Sequence, residues 1–295
     1  MTSAPSGPSA PSATSGPSTP FLVATAQNAI SPDVRQNGRG IRELMRAADQ
    51  EGARLIHFPE GALSGYAKAQ VKDWQTVDWP AINEELEQIA ALAKELRLWT
   101  VLGSAHRLTA PHRPHNSLYV ISDRGILVDR YDKRYCSHTE ITHWYTPGFR
   151  PVAFEVDGFR FGTALCIEIN FPEHFAEYER LAVDCVLFSS YSEDPMFGVL
   201  AQAHASTNKY WLSFSVPAQC SHAVPASLIS PAGGYLTRAP ESGRPSLVLG
   251  RLDRADPEFE GHLTFARTWR ASARAGDIYA ARKVDDPRSV DTQRF

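Results

Sequence analysis

No stretch of this 295-residue chain approaches the roughly 20 consecutive apolar residues that a membrane-spanning helix needs, so no membrane partner is expected. Cysteine is scarce: Cys136, Cys166, Cys185 and Cys220 lie far apart and none sits in a CxxC pair. That spacing argues against a disulfide framework and against a zinc site, and points to reduced thiols in a cytoplasmic protein. Excess charge of either sign is also missing. Thirty Lys and Arg stand against 33 Asp and Glu, for a formal net charge of -3, which speaks against nucleic acid or an anionic membrane surface as partner. The first 20 residues lack charge and lack an apolar h-region, which argues against a signal peptide and leaves a Ser/Pro/Ala-rich tail expected to be disordered. After residue 20 there is no Pro/Gly-rich linker and no internal repeat. One domain over residues 21–257, with residues 258–295 as a C-terminal arm outside the core, is the expected organisation.

What the sequence does hold is an alternation of short apolar runs and amphipathic stretches. Phe21–Gln27 reads as a buried first strand, and Ser31 and Asp33 can cap a helix running to about Glu51. Arg54–Phe58 is a short apolar strand that breaks at Pro59-Glu60-Gly61. Residues 67–80 read as an irregular surface segment, and Ile82 to Leu96 as an amphipathic helix with apolar residues at three- and four-residue steps. Trp99–Gly103 is strand-like. Ser117–Ile121 and Ile126–Asp129 form a hairpin whose second arm runs on to Lys133, and Val152–Val156 and Phe159–Leu165 form another. Then come a helix at Pro172–Arg180, a strand at Cys185–Ser189, a helix at about Gly198–Asn208 and a strand at Trp211–Val216. A third hairpin is expected around Pro231-Ala232-Gly233-Gly234, with Ser227–Ile229 before it and Leu247–Leu249 after a loop. Strands alternating with helices but interrupted by hairpins indicate a layered α/β domain with helices outside the sheets.

Three chemically active side chains follow three of these strands: Glu60, Lys133 and Cys166. In layered α/β folds, sites gather at the carboxyl ends of strands. Taken singly, each has an ordinary structural alternative: a surface carboxylate, a solvated ammonium, a core thiol. Taken together they make a complete acyl-transfer set. A thiol near its ordinary pKa of about 8.5 is only a few per cent thiolate at neutral pH, and a carboxylate at hydrogen-bond distance takes its proton as attack proceeds. An ammonium and the backbone N–H of Ile167, just after the cysteine, would stabilise the oxyanion. Such a set needs no metal or organic cofactor, and none is expected.

Three motifs then fall into register. Phe58-Pro59-Glu60-Gly61-Ala62-Leu63-Ser64-Gly65-Tyr66, Tyr131-Asp132-Lys133 with Glu140 and Thr146-Pro147-Gly148 beyond it, and Gly162 to Glu173 resemble the nitrilase superfamily of carbon–nitrogen hydrolases, in the order Glu, Lys, Cys. The intervals 133 − 60 = 73 and 166 − 133 = 33 look typical of it, and the resemblance covers roughly residues 20–255. It implies a four-layer αββα sandwich, working as a homodimer or higher homo-oligomer. It implies Glu60 as general base, Lys133 as oxyanion cation, Cys166 as nucleophile, and Glu140 as a second glutamate that orients substrate and lysine. Tyr66, Trp144, Ile167, Ser190 and Tyr191 are expected to wall the substrate. The implied activity is hydrolysis of a small amide or carbamoyl compound through a Cys thioester. A nitrilase acting on a nitrile, acyl transfer to an amine, and a silent interaction protein of the same fold stay as alternatives. The departures lie after the cysteine, where Ile167, Glu168 and Asn170 replace the aromatic, Asp and Arg of many amidase-like members, and Cys-x-Glu is also seen in true nitrilases.

Other candidates carry less. Ser64 lies between glycines without the Gly-x-Ser-x-Gly spacing of a nucleophile elbow. His138 and His143 flank Glu140 without the spacing of a helical metal pair, and no metal site is expected there. Cys136 reads as a buried bystander, and His112 and His115 as loop residues facing water.

Overall fold

The computed structural model describes residues 19–293 and residue 295. Apart from Thr19 and Pro20, the expected disordered tail lies outside the described residues. Two six-stranded sheets form the centre. The first contains β1 (Phe21–Gln27), β2 (Leu55–His57), β3 (Trp99–His106), β4 (His115–Ile121), β5 (Leu127–Asp132) and β12 (Ser246–Leu252), in the order β12-β1-β2-β3-β4-β5. The second runs from β6 (Ala153–Val156) through β7 (Phe159–Leu165), β8 (Cys185–Ser189), β9 (Trp211–Ser215) and β10 (Ser227–Ile229) to β11 (Tyr235–Arg238). Helices α1 (Val34–Gln50) and α2 (Trp79–Leu96) cover the outer face of the first sheet, and α3 (Pro172–Arg180) and α4 (Met196–Asn208) that of the second. The result is the αββα sandwich. Among the described residues no helix is long and apolar enough to cross a membrane.

Three apolar layers follow from the patterning. Ile41, Met45, Ile82 and Ile89 seal the first helix pair onto its sheet. Phe175, Tyr178, Ala201 and Ala205 do the same for the second. Between the sheets, β1, β3, β7 and β9 are buried on both faces, so they read as continuous apolar runs rather than alternating ones. Phe21, Phe159 and Phe161 pack there with ring centroids 5.2–5.4 Å apart.

Several elements depart from their sequence signals. Helix α2 begins at Trp79 rather than Ile82, because the Asp78 carboxylate accepts the Ala81 N–H at 2.9 Å and Pro80 sits in the first turn. The third hairpin pairs β10 with β11, whose residues alternate half-buried and exposed and so carry no apolar run. Leu247–Leu249 does not join it: β12 crosses to the other sheet and pairs antiparallel with β1, from Phe21↔Leu252 to Gln27↔Ser246. Nor is the arm wholly outside the core. Phe259 is 3% exposed and meets Trp211 edge-on. Beyond it, α5 (Arg267–Ala275) is tied down by its arginines. Arg270 donates to the Ser206 and Thr207 carbonyls at the carboxyl end of α4, and Arg274 pairs with Glu179 at 2.8 Å. Likewise His115 does not simply face water, since its Nδ1–H donates to the Thr146 carbonyl at 2.7 Å.

Behind the strand ends a polar pin crosses between the sheets. His57 on β2 bonds Ser213 through Nδ1 at 2.9 Å and Ser189 through Nε2 at 2.7 Å. Thr25 reaches the Ser213 hydroxyl at 2.7 Å, and Ser189 donates to the Phe58 carbonyl at 2.8 Å. Burial drives the imidazole toward its neutral form, lowering it from 6.5 to about 3. The unfolded chain therefore accepts a proton that the folded one refuses. This contribution to stability is full above pH 6.5 and is lost as pH falls from there toward about 3. His57→Asn should lower overall stability yet flatten its pH dependence across that window by up to about 1.4 kcal/mol per pH unit. Urea unfolding at a series of pH values checks this, and an unchanged slope rejects the neutral buried imidazole.

Candidate active site

The carboxyl ends of β2, β5, β7 and β8 meet at one edge of the sandwich, because β2 and β5 run the same way in one sheet and β7 and β8 are parallel in the other. Each delivers a side chain. Glu60 follows β2 on a tight turn that lies against β3. Gly103 makes this possible: a Cβ there would stand 2.1 Å from the Pro59 carbonyl oxygen. Lys133 follows β5, and its backbone is fixed on both sides. Its N–H donates to the Asn116 carbonyl at 2.8 Å, and its carbonyl accepts the Gly148 N–H at 2.8 Å. Gly148 is needed for that approach, since a Cβ there would meet the Asp132 carbonyl oxygen at 2.3 Å.

The ammonium of Lys133 lies between two carboxylates. It donates to Glu60 Oε1 at 2.9 Å and to Glu140 Oε1 and Oε2 at 2.8 and 3.0 Å. All three groups are essentially sealed from water. Glu60 also accepts the Asn116 side-chain amide on Oε1 at 2.7 Å and the Tyr191 N–H on Oε2 at 2.9 Å. Glu140 opens a short helical turn (Glu140–Trp144) and takes the Ser137 N–H at 2.8 Å and the Tyr66 hydroxyl at 3.1 Å.

One cation cannot neutralise two anions, so the carboxylates diverge. For Glu60, burial is the main influence and raises its proton affinity; Glu140 adds to this, and Lys133 only partly offsets it. Glu140 meets the same burial. There the charge and hydrogen bonds of Lys133, with the donors of Ser137, prevail and hold it below the usual carboxylate range. Lys133 is pulled down by burial, but the two carboxylates outweigh that and keep it protonated well past its ordinary range.

Cys166 ends β7 and begins a short 3-10 turn (Cys166–Asn170), separate from α3. Its φ of 50° puts a non-glycine residue in the left-handed region. Such strain, typically ~1–3 kcal/mol, persists only where the surroundings over-determine it and gathers at active sites. The thiol is 7% exposed, with Sγ 3.9 Å from the Tyr191 carbonyl oxygen. Burial pushes its pKa upward and Glu60 adds to the rise, while Lys133 and the Ser190 hydroxyl oppose it.

Of the expected wall residues, the structure gathers Tyr66, Ser190 and Tyr191 around this centre. Tyr66 stacks on Tyr191 with centroids 4.8 Å apart, and Gln70 holds the Tyr191 hydroxyl at 2.8 Å. Apart from the Cys166 thiol, the buried Ser190 hydroxyl has no hydrogen-bond partner among the described residues. Ile167 is half-buried beside the cysteine. Trp144 packs on Trp74: its ring meets Trp74 edge-on and its carbonyl accepts the Trp74 indole N–H at 2.8 Å. Two contributors had escaped notice. Asn116 bonds both Lys133 and Glu60 and was legible only as a polar residue entering an apolar strand. Ser137 was masked by the histidines around Glu140. Among the described residues no cluster of His, Cys, Asp and Glu could hold a metal ion.

Comparison with known proteins is informative at this point. The model of the carbon-nitrogen hydrolase family matches residues 22–256. The deaminated glutathione amidase of Homo sapiens is 25% identical over 259 residues, spanning 79% of this chain and 76% of its own. Among solved structures, an amidase from Nesterenkonia sp. superposes with a TM-score of 0.71 at 19% identity, covering 84% of this chain and 96% of that one. Saccharomyces cerevisiae Nit3, of branch 10 of the nitrilase superfamily, gives 0.68 at 18%, covering 82% and 92%. The two structural likenesses bear on the fold.

Removing the shared cation tests the electrostatics directly. Lys133→Met should cost about 3–5 kcal/mol, because it leaves two buried carboxylates facing each other. Part of that loss should return on mild acidification, since protonating either carboxylate relieves the repulsion. Urea unfolding at mildly acidic and mildly alkaline pH measures both effects; a pH-independent loss would contradict the shared-cation arrangement.

Proposed function

Because the chain belongs to the carbon-nitrogen hydrolase family and is an enzyme of that class, we propose that it hydrolyses a non-peptide C–N bond in a small amide or carbamoyl compound through a thioester on Cys166. The observation that carries this reading is the single ammonium held between two unlike carboxylates beside a strained cysteine. With its proton affinity raised, Glu60 is suited to carry a proton both ways. The buried thiol rests protonated, so its attack on the carbonyl carbon has to be coupled to proton transfer to Glu60. As the C–S bond forms, charge moves to the carbonyl oxygen, where Lys133 Nζ and the Ile167 N–H stabilise it. Glu60 then returns the proton to the leaving nitrogen as the C–N bond breaks, and ammonia or an amine departs. Water, deprotonated by Glu60, attacks the thioester; the C–S bond breaks and the acid leaves as the thiol regains its proton.

Glu140 has the other role. Ionised and saturated with donors, it holds Lys133 in place and has little capacity to accept a proton. The Ser190 hydroxyl beside the thiol, together with the stacked Tyr66 and Tyr191, is available to orient a substrate. With Glu140 and Lys133 paired and no further cation among these groups, the site suits a neutral reacting group. The amide is preferred over the nitrile because the human relative compared above is named as an amidase.

Cys166→Ala should lower turnover by about 10^4-fold or more while the fold persists, and Glu60→Gln by roughly 10^2–10^4-fold. The substrate class is read by ammonia release from a panel of small amides, carbamoyl amines and nitriles, with mass spectrometry for an acyl adduct on Cys166. Turnover of nitriles alone would replace the amide reading with the nitrilase one. Neither ammonia nor adduct from any member would favour an interaction protein.

A further inference from the structure

If Cys166 and Lys133 work as proposed above, their relative placement has to be held, and we infer that Glu168 is the positioning residue that holds it. Glu168 is fully buried. Its Oε1 accepts the Arg134 and Tyr135 backbone N–H groups, at 2.7 and 3.0 Å. Those two residues directly follow Lys133. Its Oε2 accepts the Leu165 N–H at 2.7 Å, and that residue directly precedes Cys166. The Tyr131 hydroxyl lies 2.7 Å from both oxygens, and His174 Nε2 lies 3.5 Å from Oε2. One carboxylate thus ties the segment after β5 in the first sheet to the end of β7 in the second. Each tie falls within a residue or two of a reacting group.

The same contacts exclude a direct chemical role. Burial raises the proton affinity of Glu168, while the Tyr131 hydroxyl and the Tyr135 and Leu165 N–H groups oppose it. Backbone donors approach both oxygens, an arrangement made for an acceptor. Little acceptor capacity is left for substrate or water. The carboxylate is itself steadied from outside. Arg134, whose backbone N–H is one of the donors, also donates its side chain to His174 Nδ1 at 2.5 Å and pairs with Glu177 on α3; His174 Nε2 faces Glu168 without a hydrogen bond. The Cys-x-Glu spacing is on this view a brace between two loops, and it does not select amide against nitrile.

Glu168→Gln keeps the size but replaces one acceptor oxygen with an NH2 group, so one of the two loops loses its tie. Misplacing reacting groups by about 1 Å costs on the order of 10^2-fold in rate. The expected result is a folded variant with kcat reduced roughly 10^2-fold and KM changed by less than about 3-fold. Glu168→Asp keeps the charge but is about 1.5 Å shorter, and should fall between wild type and the Gln variant. Iodoacetamide labelling of Cys166 gives a readout with the opposite sign for a purely electrostatic effect. Deleting a nearby anion would favour thiolate and speed labelling, whereas displacing Lys133 from the thiol slows it.

Slower labelling with a kcat-dominated loss supports the brace. A folded Gln variant with near wild-type kcat, or with faster labelling, overturns it. If the Gln variant does not fold, the Asp variant carries the same comparison, and wild-type kcat there overturns the proposal equally. Should labelling of wild-type Cys166 leave turnover intact, the nucleophile assignment falls and this inference falls with it. If labelling abolishes turnover yet both variants behave as wild type, only the inference fails.

Discussion

The arrangement at the strand ends depends on one buried positive charge. Lys133 is shared by Glu60 and Glu140 away from water, and without it the two carboxylates could not both remain ionised there at little cost. Sharing is also what makes the two acids different. The one better supplied with donors keeps its charge, and the other is left with a raised affinity for a proton. A fold that buries two like acids around one base thereby obtains two groups of opposite proton affinity from the same residue type.

That charge can be buried only because the backbone around it is closely fitted. Gly103 and Gly148 let two turns press against neighbouring strands, and Asn116 bonds the lysine main chain and the Glu60 side chain together. The His57 pin sits behind these turns and joins β2, which leads to Glu60, to β9 and to β8, which leads to Ser190 and Tyr191. Both sheets therefore contribute to one site, and their relative placement is set by hydrogen bonds as well as by apolar packing.

Much of this was legible in the chain. Continuous apolar runs and well-punctuated turns located most strands, because strands buried on both faces need no alternation to be seen. The Glu60, Lys133 and Cys166 motifs stood out because each follows such a run. What escaped depends on partners distant in sequence. Strand β11 has no apolar signal because its pairing with β10, not burial, makes it a strand. Phe259 looks like part of a polar arm until Trp211 receives it. Glu168 read as a variation in a motif, since nothing local shows that its donors come from residues more than 30 positions away as well as from Leu165 next to the cysteine.

The pairing of β1 with β12 bears on how the molecule is made. The first strand of the domain finds its outer neighbour only when residues 246–252 have left the ribosome. Until then β1 offers one open edge to any extended chain, the kind of exposure that invites mispairing. Contacts between strands so far apart in sequence form slowly, since a long loop must close before they are rewarded. The first sheet can therefore be finished only after residues 246–252 are made, and a nascent fragment that already contains Glu60, Lys133 and Cys166 still lacks the closed sandwich that holds them together.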